Sequence, residues 1–258
     1  MTQISTERFY AQIHASTAAL GLLVAGADLT RRIPTCPGWT LMQLATHVGR
    51  AHRCAAEIAA TRSAEFIPFR SIPDGKFPDD PAQHATWLNA GAHRVIDAVR
   101  EAGADEVWAF GDIVPASFWA RRMTHETLVH TADAELAAGR EVTIAPDLAA
   151  DAIDEWLGFL SGPVNGRPDP RAQALPEGRV LHVHATDSEL DGSGEWLVRH
   201  TPSGVTVEPG HAKGDVALTG PAERLLLVLM RRLPASDPAV EVFGDSELLG
   251  QWLAHTAF

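Results

Sequence analysis

The hydrophobic pattern of this chain changes near Pro163, from the period of α-helices to the alternation of β-strands. Before that point, long segments such as Thr6–Val24 place apolar residues at close to helical spacing, which is typical of amphipathic helices. After it, short segments such as RVLHVHAT alternate polar and apolar residues and are connected by glycine-rich turns. The change predicts an α+β protein, with a four-helix bundle in residues 1–142 and a smaller α+β domain in residues 143–258.

Local signals set the expected limits of these elements. Thr40 is a good N-cap, and Gln43 three positions later completes a capping-box pattern at the start of the second helix. In the second domain, Pro221 is expected to begin a helix with the sequence PAERLLLVLMRRL. Stretches rich in proline, glycine and aspartate are predicted to be irregular loops or linkers: residues 31–39, 66–81, 105–115 and 163–178.

Composition and charge restrict the possible classes of function. The 258 residues carry a formal net charge of −12, which argues against a nucleic-acid-binding protein because such proteins normally present a basic face. No apolar run is long enough to cross a membrane and no signal peptide is recognised, so we expect a cytoplasmic protein without a membrane partner. The two cysteines, Cys36 and Cys54, form no CxxC motif, so neither a disulfide framework nor a zinc ribbon is indicated.

The clearest candidate site lies in the stretch RRMTHETLVHTADAEL, which lacks glycine and proline and is expected to be helical. Glu126, His130 and Asp133 are spaced so that they fall on one face of this helix, where a carboxylate and an imidazole can bind a divalent metal together. His125 lies about 140° around the helix from His130 and is not expected to share the site. The alternative, which the residues alone leave open, is a solvated helix carrying an ordinary Glu–His surface pair.

Other side chains are weaker candidates. His47 lies at the edge of the buried stripe of the second helix, where a histidine is more often packed than a ligand, and His52 points elsewhere. His182 and His184 share one face of a predicted strand like a possible metal-binding pair, although on an antiparallel sheet such residues more often face solvent. Cys36 could be a reactive thiol, but a buried structural role is favoured.

Several motifs together resemble one family. The segments TCPGWTLMQLATHVGRAHR, FWARRMTHETLVHTADAELAAG and DEWL are similar to those of the mycothiol-dependent maleylpyruvate isomerase family. The resemblance covers nearly the whole chain. It implies a DinB-like metal-binding four-helix bundle followed by a sterol-carrier-like α+β domain.

The resemblance also assigns site residues. The metal-binding triad of the family falls on His47, Glu126 and His130, which implies a bound Zn²⁺ or another divalent ion. Asp133 stands where the family has an acidic residue beside the metal, so its expected role is to orient a ligand histidine or to handle a proton. The resemblance further implies an arginine of the second domain that binds a substrate carboxylate. Arg232 is the best match for it, with Arg231 as the competitor, and this places the expected active site between the two domains.

The expected chemistry follows from an open metal position. A thiol that enters this position loses its proton. The resemblance implies that this thiol is mycothiol, acting as the cosubstrate of an electrophilic small molecule. An isomerase would add the thiolate to an activated double bond and eliminate it after rotation, whereas an S-transferase would release the adduct. The alternatives are a metal-dependent hydrolase that activates water and a non-catalytic protein that binds a metal or small ligand. A monomer or a homodimer is expected.

Overall fold

The computed structural model describes residues 4–161, 163–164, 167–168, 175–202 and 204–256. The chain divides into two compact units that meet after Val142, with Ile4–Val142 in one unit and Thr143–Phe258 in the other. The predicted α+β fold class is confirmed, because a helical N-terminal unit precedes a smaller unit that contains a five-stranded sheet. No helix in the described part of the chain has the length and hydrophobicity needed to cross a membrane.

Four long helices form most of the N-terminal unit, and each of them packs against the other three. Their limits are α1 Thr6–Val24, α2 Leu41–Thr61, α3 His84–Ala102 and α4 Ser117–Ala137. The predicted capping box begins α2: the Gln43 amide donates to the Thr40 hydroxyl at 3.3 Å, and the Thr40 amide donates to the Gln43 side chain at 2.8 Å. Fully buried side chains such as Ile13, Leu44 and Leu88 fill the space between the helices.

The loop before α2 is irregular, as predicted, and is folded back on itself. An isolated β-bridge joins Arg32 to Thr40, and the Ile33 amide donates to the Trp39 carbonyl at 3.0 Å. Gly38 has a φ of 87°, a backbone conformation that favours glycine and turns the chain towards α2. These contacts hold the segment from Thr35 to Trp39 beside the first turns of α2.

The prediction of an irregular loop at residues 105–115 was wrong. Strands β1 (Glu106–Ala109) and β2 (Asp112–Pro115) form a two-stranded antiparallel hairpin there. Phe110 and Gly111, the two turn residues, both have positive φ angles of 51° and 100°, which is the requirement of a type I′ turn. In the predicted loop at 66–81, short 3₁₀ turns occur at Phe69–Ser71 and Pro81–Gln83.

In the described part of the C-terminal unit, the α-helices are α5 Pro146–Ser161, α6 Ala222–Leu229 and α7 Ser246–His255. The strands are β3 Pro163–Val164, β4 Arg167–Pro168, β5 Val180–Ala185, β6 Glu195–Thr201, β7 Gly204–Pro209, β8 Val216–Gly220 and β9 Glu241–Gly244. Strands β5 to β9 form a mixed sheet with the order β7-β6-β5-β8-β9, in which the pairing of β5 with β8 is parallel and the other three pairings are antiparallel. The two-residue strands β3 and β4 pair within the predicted 163–178 linker.

The two faces of the sheet differ in polarity. Leu181 and Val183 of β5 are fully buried and share a face with Trp196 of β6, which is paired with Val183. His182 and His184 lie on the opposite face because side chains alternate along a strand. His182 is only 5% exposed, so the interpretation that this pair faces solvent was wrong for that residue.

Candidate metal centre

The three residues implied as metal ligands lie together in the N-terminal unit. Glu126 and His130 are one turn apart on α4, and His47 faces them from α2. Nε2 of His47 lies 2.6 Å from Oε1 of Glu126, and Nε2 of His130 lies 3.3 Å from the same oxygen. One ligand atom from each residue lies within 4.8 Å of the other two. Two imidazoles and a carboxylate at these distances need only small side-chain adjustments to surround a tetrahedral ion, whose ligand atoms are about 3.4 Å apart.

Glu126 is held in its charged form by Arg122, one turn earlier on α4. The Arg122 guanidinium pairs with Oε2 of Glu126, which leaves Oε1 directed towards the two imidazoles. Burial, the largest single influence, raises the pKa of Glu126, but Arg122 and the hydrogen bonds from His130 and His47 together hold it well below its usual range. The site therefore offers an ionised carboxylate although the Glu126 side chain is only 12% exposed.

Asp133 is completely buried and contacts the other side of the His130 ring. Its Oδ2 lies 2.9 Å from Nδ1 of His130 and accepts the Cys36 thiol at 3.1 Å, while Oδ1 accepts the Thr35 hydroxyl at 2.6 Å. Burial lowers the pKa of His130, but hydrogen bonds to Asp133, Cys36 and Glu126 raise it well above the usual value. A carboxylate on Nδ1 directs the other nitrogen, Nε2, towards Glu126, as expected for the partner of a ligand histidine.

Cys36, with His130 and Asp133, forms a second group of metal-ligating atoms that are close in space. Both carboxylate oxygens of Asp133 already accept hydrogen bonds, from Thr35 and from Cys36. The first group suits an ion better because Oε1 of Glu126 lies between the imidazole nitrogens of His47 and His130. Cys36 is half-buried, and its thiol contributes to orienting Asp133.

An open cavity of about 390 Å³ adjoins the His47 side of the centre. The Trp39 ring covers the imidazoles, with its centroid 4.9 Å from that of His47 and 5.7 Å from that of His130. The His47 side chain is 39% exposed, against 12% for His130, so the accessible side of the centre is the His47 side. The cavity is lined by Trp39, Gln43, Thr46, His47, Arg50, Ala51 and Phe69.

His52 and His125, which were not expected to join the metal centre, lie outside it. His52 is fully buried, with Nε2 2.7 Å from the Thr127 hydroxyl, and burial lowers its pKa to about 3. The His125 ring packs edge-on against Phe9, with 6.1 Å between the ring centroids. Neither residue belongs to a group of potential metal ligands among the described residues.

Arg232 lies just beyond a helix rather than on it, which corrects the expected extent of the PAERLLLVLMRRL helix. Helix α6 ends at Leu229, since Arg231 has a φ of 60° and leaves the helical conformation. The Arg232 amide donates to the Leu227 carbonyl at 2.7 Å, and its Nη1 donates to the Met230 carbonyl at 2.7 Å. These bonds satisfy carbonyls at the helix end, a common use of basic residues. The substrate-binding role of Arg232 stays a prediction.

Comparisons with known proteins cover most of the chain. The family model described as "Mycothiol maleylpyruvate isomerase N-terminal domain" matches residues 10–135, and "MDMPI C-terminal domain" matches residues 147–251. A crystal structure of a mycothiol-dependent maleylpyruvate isomerase is 19% identical with a TM-score of 0.62, covering 94% of this chain and 95% of that one. A histidine-to-alanine mutant of such an isomerase gives 18% identity, a TM-score of 0.61 and the same coverage. These identities show a shared fold. A search of curated proteins finds no match.

Proposed function

Because the chain belongs to the mycothiol maleylpyruvate isomerase family, we propose that it is a divalent-metal-dependent enzyme that uses a low-molecular-weight thiol, mycothiol, to isomerise a cis double bond. The substrate class is a small unsaturated acid whose double bond is conjugated with a carbonyl group. The observation that carries this proposal is the convergence of His47, Glu126 and His130 beside an open cavity. A hydrolase or a purely structural centre would need the same ligands but no thiol.

The ligand set fits a zinc-type ion with a free position. Two imidazole nitrogens and one carboxylate oxygen are the ligands of many catalytic zinc sites, which keep their fourth position for water or substrate. An ion bound there would favour the thiolate form of an incoming thiol at neutral pH. Neither Cys36 nor Cys54 is then needed as the nucleophile. This agrees with the burial of Cys54, which raises the pKa of its thiol to about 11.

Neighbouring side chains keep the proposed ligands in the charge state and orientation that metal binding requires. Arg122 keeps Glu126 ionised, and its pairing with Oε2 fixes the orientation of the carboxylate. Asp133 accepts a hydrogen bond from Nδ1 of His130, so the Nε2 lone pair is free to face the ion. The Trp39 ring packs against both imidazoles and limits their orientations.

The isomerisation requires the thiolate to add to one carbon of the double bond, so that this bond becomes a single bond and its electron pair moves to the conjugated carbonyl oxygen as an enolate. Rotation about the single bond and collapse of the enolate then expel the thiolate and leave the trans product, so no thiol is consumed. A positive charge near the carboxylate of the acid would hold it during rotation, because orientation of the reacting groups accelerates the reaction. Arg50 in the cavity wall and the predicted Arg232 are the candidates for this role.

The test is an assay of the full-length zinc-loaded protein with mycothiol and maleylpyruvate, in which the trans isomer is measured by liquid chromatography. We expect turnover that needs both the thiol and the metal. The His47→Ala protein should lose at least about 100-fold in kcat/KM, since it lacks one ligand of the ion. The exposed His255, in α7, provides the matched control, and His255→Ala should retain full activity.

Each failure of this assay has a distinct meaning. Turnover without thiol would replace the proposal with metal-dependent hydrolysis or another thiol-free reaction. Accumulation of a stable thiol adduct, seen by mass spectrometry, would indicate an S-transferase. If Arg232 binds the carboxylate of the substrate, Arg232→Ala should reduce kcat/KM strongly with metal content unchanged, whereas Arg231→Ala should not. Equal kcat/KM values for the two arginine variants would remove Arg232 from the site.

A further inference from the structure

A second group of potential metal ligands lies in the C-terminal unit, around Glu195. Glu195 is paired with His184 across strands β5 and β6, and His182 lies on the same face two residues earlier. His211 follows β7 and is brought alongside by the Gly210 amide, which donates to the Glu195 carbonyl at 3.2 Å. The topology of the sheet therefore brings three imidazoles to one carboxylate.

The distances within this group are short. Nε2 of His182 lies 2.9 Å from Oε2 of Glu195, and Nδ1 of His211 lies 2.6 Å from the same oxygen. The rings of His182 and His211 are nearly perpendicular, with centroids 5.2 Å apart. Ligand atoms of His182, Glu195 and His211 all lie within 4.8 Å of one another.

The electrostatic environment of Glu195 also suits a cation. Its side chain is 15% exposed, and its ion-pair partners among the described residues are three histidines, with no lysine or arginine.

We propose that His182, Glu195 and His211 form a second divalent-metal site, of the kind that binds Zn²⁺, independent of the centre in the N-terminal unit. Two imidazoles and one carboxylate are suitable ligands for this ion. Ligand atoms of a tetrahedral zinc site are about 3.4 Å apart, so the observed separations need to open by less than about 1 Å. The 72% exposed side chain of His211 has the freedom to make this adjustment.

His184 lies beside this site, with Nε2 3.9 Å from Oε1 of Glu195, but outside the group whose ligand atoms are all within 4.8 Å of one another. An ion bound here would connect β5, β6 and the segment after β7. Because its ligands assemble only in the folded domain, the ion would stabilise the C-terminal domain against unfolding. The inference does not depend on the proposed function, since all of its ligands belong to the second unit.

The experiment uses full-length protein in which His47→Ala and His130→Ala remove the N-terminal ligand set. Zn²⁺ is titrated into this double variant against a chromogenic chelator, and Co²⁺ is added separately to record its visible spectrum. We expect one equivalent of Zn²⁺ to bind and Co²⁺ to give the intense absorption of a tetrahedral site. A third substitution in the double variant, His211→Ala, should weaken Zn²⁺ binding by at least about tenfold, because it removes a direct ligand.

His211 is chosen because its exposed side chain can be replaced without disturbing the core, unlike the buried His182. The control adds His255→Ala to the same double variant, and Zn²⁺ binding should not change. Glu195→Gln provides a second test, since it removes the charge with little change of shape. The proposal is overturned if the double variant binds no Zn²⁺, or if His211→Ala and Glu195→Gln leave Zn²⁺ affinity and the Zn²⁺-dependent rise in Tm unchanged.

Discussion

Replacement of Asp133 by asparagine tests whether its carboxylate orients His130, a predicted metal ligand. Asp133 accepts hydrogen bonds at both oxygens, from the Thr35 hydroxyl and the Cys36 thiol, and Oδ2 also contacts Nδ1 of His130. An asparagine has one oxygen and one NH₂ group, so it cannot accept from both sides. If its oxygen stays with Thr35, its NH₂ group faces the imidazole and favours the tautomer with the proton on Nε2.

That tautomer lacks the Nε2 lone pair that would bind the ion, so Zn²⁺ affinity should fall. Loss of a hydrogen-bonding partner behind a ligand histidine typically costs 10- to 100-fold in metal affinity. This range corresponds to about 1.4–2.7 kcal/mol of binding free energy. The buried position of Asp133 favours the upper end, because no water replaces the lost acceptor.

The measurement is a competitive Zn²⁺ titration, with far-ultraviolet circular dichroism as a check on folding. Asp97→Asn on α3 is the matched control, since Asp97 is exposed and forms an ion pair with Arg100 of the same helix. Binding by the control should equal that of the unmodified protein. An Asp133→Asn protein that is folded and binds Zn²⁺ with unchanged affinity would refute the orienting role of this carboxylate.

Three further predictions concern stability. His52 is buried and its pKa is lowered to about 3, so protonation favours the unfolded state; between pH 7 and pH 5 the free energy of unfolding should fall by about 2 kcal/mol from this residue. Urea unfolding at both pH values should show a smaller decrease in His52→Gln, and an equal decrease would contradict the assignment. Gly49→Ala should destabilise the protein by about 1–3 kcal/mol, because a Cβ would lie 2.0 Å from the Trp87 ring. Gly158→Ala, with nothing within 4 Å of the new Cβ, should instead stabilise α5 by about 0.5–1 kcal/mol in the same assay.

The features that could be predicted from the sequence are governed by local rules. The limits of α1 and the start of α2 agree with the prediction because apolar spacing and capping residues act within a few positions. Likewise, the proximity of Glu126 to His130 follows from helix geometry once the segment is helical. His47 could be added only through the family resemblance, since no local rule relates α2 to α4.

The contacts that were missed join distant parts of the chain. Thr35 and Cys36 reach Asp133 across 98 and 97 positions, and nothing in their local sequence indicates this pairing. Similarly, His182 was recognised as a candidate ligand, but its partner Glu195 comes from a neighbouring strand whose register the sequence does not specify. Arg122 was also missed, although its spacing of four from Glu126 is the same signal that identified His130.

The hairpin at residues 105–115 illustrates a different difficulty. Its strands have four residues each, too few to produce a recognisable alternation among the glycine and proline of the segment. The turn uses Phe110 at a φ of 51° instead of the asparagine or aspartate that usually marks a type I′ turn. Strand pairing and packing, including the burial of Val107, therefore determine the hairpin conformation of this segment.

The three predicted ligands of the N-terminal centre are unequally placed, which would affect how fast an ion exchanges. Glu126 and His130 are attached to one helix and are nearly buried, whereas His47 belongs to another helix and lies at the mouth of the cavity. A chelator would approach from the side of His47, and rotation of that single imidazole would leave the ion with only two protein ligands. The dissociation rate would then follow a side-chain motion, which is faster by orders of magnitude than local unfolding.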